Sequence, residues 1–159
     1  MSESPNSYWL EDFEALPTVT TMHRTITEPD LVSFITLGGF FEDVFMSREV
    51  AEQSLFKGRV VPGLFVVVIA EGLYILAGAT SHAVALLGLS DLEFDAPTLC
   101  GDTVWAEVET EKVRRTSRGD RGVVHAYHTV RKSDGTVVAR YRTKRFVLSR
   151  CPEPVAAGQ

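Results

Sequence analysis

The segment FKGRVVPGLFVVVIAEGLYILAG, from Phe56 to Gly78, limits what this chain can become more than any other. It reads as a basic turn, a Pro-Gly entry and then one long helix whose only charge is Glu71. A helix that is apolar all round has to be enclosed. The run from Leu64 to Ala79 contains Glu71 and falls short of the roughly 20 apolar residues a bilayer span needs, so the sequence predicts a core helix and not a membrane anchor. The enclosing material follows at once. From Ala83 the segments VALLGLSDLEFDAP, TVWAEVETEKVRR, GVVHAYHTVRK and TVVARYRTKRFVLS alternate apolar with polar residues. Turns separate them at Pro97 to Asp102, at Ser117-Arg118-Gly119-Asp120 and at Ser133-Asp134-Gly135, the last a strong hairpin signal. Alternation gives the sheet one dry face, and the helix supplies its partner. The expected class is α+β, with an antiparallel sheet of about five strands around a helix over Pro62 to Ala79.

At 159 residues, 45% apolar and 23% charged, the chain has the size and composition of one soluble globular domain. Its net charge of −5 argues against nucleic acid as a partner, because phosphate contacts need a basic face. Cys100 and Cys151 make neither a disulfide framework nor a metal-ligand spacing, which implies a reducing, cytoplasmic setting and no bound metal. The opening MSESPNSYWLEDFEALP is acidic and polar, unlike a signal peptide. Residues 1–17 read as an irregular lead-in whose Tyr8, Trp9, Leu10 and Phe13 can pack across the body. Residues 18–150 read as the domain and 151–159 as a flexible tail. Within the domain, Thr20 to Thr27 has the β-branched content of a short strand. Thr27-Glu28-Pro29-Asp30 then starts a helix over Pro29 to Leu37 that Gly38-Gly39 stops. Ser47 caps a second short helix that runs through Ala51 and ends near Ser54.

Four stretches together carry a family resemblance: ITEPDLVSFITLGG, FKGRVVPGL, LGLSDLEFDAPTLCGDTVWAEVE and SRGDRGVVHAYHTVRKSDGTVVARYRTKRFVL. Over roughly Ile26 to Leu148 the chain resembles the MaoC-like (R)-specific enoyl-CoA hydratases, which are hotdog proteins. Its last stretch looks most like the mesaconyl-CoA and methylmalyl-CoA dehydratase branch. The resemblance implies a single hotdog that forms a homodimer or higher homo-oligomer through sheet edges, or pairs with a second hotdog chain. It also implies a lyase that adds water across a 2-enoyl thioester of coenzyme A or a carrier protein, or removes it. Coenzyme A enters as part of the substrate and no other cofactor is implied. In such enzymes a carboxylate and an imidazole move the protons, and a backbone N–H at the start of the central helix polarises the thioester carbonyl. The matching position is Gly63. The family pattern Gly-Asp-x-Asn-Pro-x-His-x-Asp falls on Gly39-Phe40-Phe41-Glu42-Asp43-Val44-Phe45-Met46-Ser47. Phe40 therefore stands where the family has aspartate and Phe45 where it has histidine, and Pro62 stands where histidine is frequent.

Phenylalanine moves no proton, so the catalytic candidates are Glu42 and Asp43, in a loop whose Phe40 and Phe45 would desolvate a carboxylate and line the substrate. The alternative for both acids is a turn cap or a solvated position. Glu71 is a candidate because an unpaired charge in an apolar helix is costly, and a central-helix carboxylate activates water in other hotdog enzymes that hydrolyse thioesters. Its alternative is a pairing with a basic side chain. Lys57 and Arg59 before the helix, and Arg114 and Arg118 beside Arg115 and Arg121 at one hairpin, are candidates for coenzyme A phosphates or a solvated face. His125 and His128 should point to opposite faces of their strand. His82 and His23 have no partner legible in the sequence, and Cys100 reads as a small packed residue. Three functions follow: a hydratase or dehydratase using Glu42 or Asp43, a thioesterase using Glu42 or Glu71, and an acyl-thioester-binding or scaffold subunit without catalysis.

Overall fold

A computed structural model describes residues 7–151, so most of the 151–159 tail and the first residues of the lead-in lie outside the described residues. The lead-in is not irregular throughout. α1 (Leu10–Glu14) forms where the Asp12 carboxylate accepts the Trp9 N–H at 2.8 Å, and it drives Leu10 and Phe13 into the core. The strand expected over Thr20 to Thr27 is split into β1 (Thr18–Thr20) and β2 (Arg24–Thr25). Thr21 causes the break, because its hydroxyl replaces a backbone acceptor for the Ala106 N–H at 2.9 Å. α2 (Glu28–Gly38) begins as expected, with Thr27 and Asp30 exchanging side-chain and backbone hydrogen bonds, and stops at Gly39 with φ 71°. α3 (Asp43–Met46) is one turn inside the segment read as a loop. α4 (Arg48–Gln53) follows, with the Ser47 hydroxyl accepting from Val50 N–H at 3.3 Å.

α5 (Gly63–Leu76) is the apolar helix, shorter than its apolar run because Pro62 is its cap and Gly78, at φ 82°, turns the chain away. After it come β3 (Ala83–Phe94), β4 (Thr103–Arg115), β5 (Arg121–Lys132) and β6 (Val137–Leu148). The antiparallel sheet runs β1-β4-β5-β6-β3, with β2 also on β4. Phe65, Val66, Ile69, Ala70 and Leu73 of α5 are buried in one core with Val104, Ala106, Val124 and Val130 of the sheet, each larger side chain contributing about 1.5–3 kcal/mol. This is the α+β hotdog plan. The wrapping is one-sided, however. Leu64, Val68 and Ile75, on the opposite face of α5, are 51%, 55% and 59% exposed, and the edge strand β3 leaves Leu86 and Phe94 half exposed. Among the described residues no helix is long and apolar enough to cross a membrane.

Candidate functional site

A cavity of about 530 Å³ opens at the start of α5, between the α3 turn and the β3–β4 connection. Its position follows from Pro62. With no N–H of its own and φ fixed at −53°, it launches the helix and leaves the Gly63 and Leu64 amides without an acceptor among the described residues. Free amides and the positive end of the helix dipole make this a site for a polarised oxygen. Glu42, Phe45, Pro62 and Gly63 all line it. Glu42 is the residue before α3, yet its side chain caps nothing; only its carbonyl accepts, from the Phe45 N–H at 2.9 Å and the Met46 N–H at 3.0 Å. Its carboxylate has no hydrogen-bond partner among the described residues and is exposed, so Phe40 and Phe45 do not desolvate it as the sequence suggested, and the solvated position holds instead.

Other sequence candidates lie elsewhere. Asp43 opens α3 and is not in the lining. Phe40 backs the wall: its ring packs on Phe34 at 5.1 Å and meets Phe45 edge-on at 6.4 Å, while Phe34 stacks on Phe65 of α5 at 4.5 Å. Arg59 is largely buried, paired with Glu28 and donating to the Phe45 carbonyl at 2.6 Å, so it fixes the α3 turn against the start of α2. Lys57 is exposed in the turn before β-bridged Val60, with φ 56°. Arg114 and Arg118 are exposed at the far end of β4, roughly 35 Å along the strand from Thr103, and do not line the cavity.

Glu71 belongs to a second, separate polar cluster under α5. Its carboxylate pairs with the Arg145 guanidinium, accepts the Tyr141 hydroxyl at 2.8 Å and lies 3.5 Å from His128 Nδ1. Arg145 Nη1 donates to Thr143 Oγ1 at 2.7 Å, which leaves the threonine hydroxyl to donate to His128 Nε2 at 2.9 Å. The network thus assigns the single imidazole proton to Nδ1, facing Glu71. Burial first, and then Arg145, push the His128 pKa down to about 3, so this histidine is neutral. His125 lies on the other side of β5, where burial and Lys144 lower its pKa. His82 stacks on Trp9 at 3.4 Å and meets Ser7 Oγ at 2.8 Å; His23 stacks on Trp105 at 5.6 Å. Among the described residues no imidazole lines the cavity. The Cys100 thiol points to Glu28 at 3.5 Å, and burial pushes its pKa up. Among the described residues no cluster of histidine, cysteine and carboxylate side chains could hold a metal.

Sequence reasoning missed Phe94 and Asp95, which line the cavity from the end of β3. The Asp95 carboxylate takes the Arg140 guanidinium, with Nε at 2.9 Å, and this hydrogen bonding holds it below the usual carboxylate range. The signal was the Phe-Asp-Ala-Pro order itself, an aromatic and an acid immediately before the turn that faces the helix start. The cavity therefore offers an apolar wall, free helix-start amides, one paired carboxylate and one unpaired carboxylate.

Comparison with known proteins points one way. The family model described as MaoC like domain matches residues 15–134. Protein MaoC of Klebsiella aerogenes is 32% identical over 117 residues, covering 74% of this chain and 34% of that protein, so the chain spans about a third of that relative's length. Among solved structures, the monoamine oxidase regulatory protein of Archaeoglobus fulgidus superposes with a TM-score of 0.82 at 23% identity, over 92% of this chain and 97% of its own. The (R)-hydratase from A. caviae involved in PHA biosynthesis gives 0.71 at 19% identity, over 84% and 95%. A double-hotdog protein of Mycobacterium tuberculosis gives 0.85 at 17% identity, over 99% of this chain and 50% of that one.

Proposed function

Because the chain belongs to the MaoC-like domain family, we propose that it is a hydratase or dehydratase of 2-enoyl and 3-hydroxyacyl thioesters, carried on coenzyme A or a carrier protein. The observation that carries this reading is the pairing, in one cavity, of the unengaged Gly63 amide with the unpartnered Glu42 carboxylate. In the hydration direction the thioester carbonyl oxygen sits on the Gly63 N–H, where the developing enolate charge is stabilised. Glu42 takes one proton from water as the hydroxide adds to Cβ, and returns a proton to Cα on the same face. Water is consumed and Glu42 ends as it began. Glu42 stands exposed at the cavity, beside the apolar wall of Phe45 and Phe56, where water reaches it. Phe40 and Phe45 take the places of the family's aspartate and histidine, so Glu42 replaces the usual pair. The last strands direct the choice within this class toward the mesaconyl-CoA and methylmalyl-CoA dehydratases.

The thioesterase reading loses its Glu71 form, since that carboxylate is engaged by Arg145 and Tyr141 and lies outside the cavity. A non-catalytic binding subunit is the second reading, favoured by the lack of any imidazole at the cavity. In either case a second copy of the chain, or a second hotdog chain, covers the open side of α5 and β3. Coenzyme A is the substrate's own handle, and the two unpaired cysteines suit a reducing, cytoplasmic compartment. The test is a panel of 2-enoyl-CoA and 3-hydroxyacyl-CoA thioesters, followed at once by enoyl absorbance and free thiol. Absorbance change without thiol is expected. Thiol release would replace hydration by hydrolysis, and binding with silence in both channels would leave the subunit reading.

A further inference from the structure

Strand β3 has three register shifts against β6, and the consequence of the last, between Ser90 and Glu93, falls on the cavity. Ser90 pairs with Arg142 and Glu93 with Arg140, so three steps along β3 match two along β6. Inside that step Asp91 takes φ 52°, in the left-handed region. Its carboxylate is held by Arg142 Nη1 at 3.1 Å and by the Ser90 hydroxyl at 3.4 Å. An extra residue of this kind reverses which side chains face inward beyond it. With regular pairing Glu93 would stand opposite Ala139 on the inner face. With the bulge, Glu93 turns outward beside Arg140 at 3.6 Å, and Phe94 takes the place opposite the fully buried Ala139. The Phe94 ring then lies over the first residue of α5: a Cβ on Gly63 would come within 2.6 Å of it. The chain beyond is pinned, with the Asp95 N–H on the Val138 carbonyl at 3.1 Å and the Asp95 carboxylate on Arg140. The ring itself is half exposed and lines the cavity.

We infer that Phe94 is the specificity-determining wall of this cavity, setting the size of acyl group admitted beside Gly63, and that Asp91 is the positioning residue that turns it inward. This rests on the acyl-thioester reading above. An acyl group that brings its carbonyl to the Gly63 amide lies against the ring, so the space it can fill ends where the ring begins. One methylene more or less in such an apolar pocket changes selectivity by about 10–200-fold. Loss of the bulge would exchange the ring for the Glu93 carboxylate, which repels a thioester enolate and competes for the helix-start amides.

The experiment measures dissociation constants of saturated acyl-CoA thioesters of increasing chain length, by calorimetry on the full chain. The variants are Phe94→Ala, Phe94→Leu, Glu93→Ala and Asp91→Val, the last alone and combined with Glu93→Phe. Phe94→Ala is expected to raise the preference for long over short acyl groups at least tenfold, Phe94→Leu less, and Glu93→Ala not at all. Asp91→Val keeps the residue count but opposes the left-handed backbone at 91, so the strand loses its bulge and Glu93 turns inward. It is expected to abolish binding, and adding Glu93→Phe, which returns an aromatic ring to the inner face, to restore a wild-type profile. That recovery tests the register directly, since a substitution that merely unfolds the sheet is not repaired by a larger side chain. If wild-type protein binds acyl-CoA but both Phe94 variants keep its selectivity, this inference alone is overturned. If wild-type protein binds no acyl-CoA of any length, the acyl-thioester reading fails and this inference with it.

Discussion

Of the two carboxylates on the cavity wall, Asp95 is committed to Arg140, whereas the Glu42 side chain has no partner among the described residues. The same contrast separates Glu42 from Glu71. Glu71 was legible as a charge in an apolar helix that had to be matched, but its partners were not, because Tyr141 and Arg145 come from a strand some 70 residues later. Glu71→Ala leaves the Arg145 guanidinium buried without a counter-charge and should cost about 3–5 kcal/mol, read as a lowered midpoint in urea unfolding. His128 adds a pH dependence. Its folded pKa of about 3 lies below the ordinary 6.5, so the unfolded chain binds the extra proton between those values. Stability from this group is complete above pH 6.5 and falls as pH drops toward 3, by up to about 1.4 kcal/mol per unit. Thermal melts from pH 7 to 4 should show the decline, and His128→Gln should flatten it; an equal slope in that variant would remove His128 as the cause.

Elements whose signals are local were legible. The Thr27 and Ser47 caps, the Gly39 stop and the Ser133-Asp134-Gly135 turn depend on neighbouring residues and stand where the pattern places them. Elements set by distant partners were not. The β1–β2 break depends on Thr21 meeting Ala106, the α3 turn on Arg59 reaching the Phe45 carbonyl, and the β3 bulge on Arg142 holding Asp91. Alternation alone runs through that bulge, which is why Phe94 escaped notice as a wall residue. The helix start offers a test at this scale. Gly63→Ala drives a methyl group into the Phe94 ring and should cost on the order of 1–3 kcal/mol, with Phe94→Ala in the same chain recovering part of it. Strict additivity of the two losses would show that the ring does not occupy that space.

For the whole molecule, one sheet covers one side of a helix whose only charge is Glu71 and leaves the other side open. Leu64, Val68 and Ile75 of α5 and Leu86, Leu89 and Phe94 of β3 are exposed, beside an unpaired strand edge, and exposed apolar surface of this kind marks interaction sites. The expectation that the helix is enclosed is therefore met on one side only in the single chain. Sedimentation equilibrium should give a dimer or larger species, and Val68→Lys with Leu86→Lys should give monomer; wild-type monomer at micromolar concentration would contradict this. Hydration of crotonyl-CoA by wild-type protein and by Glu42→Gln reads out the chemistry of the cavity at the start of α5. Turnover is expected in the first and a loss of at least a hundredfold in the second, with the fold unchanged. Equal turnover by the two proteins would show that Glu42 moves no proton.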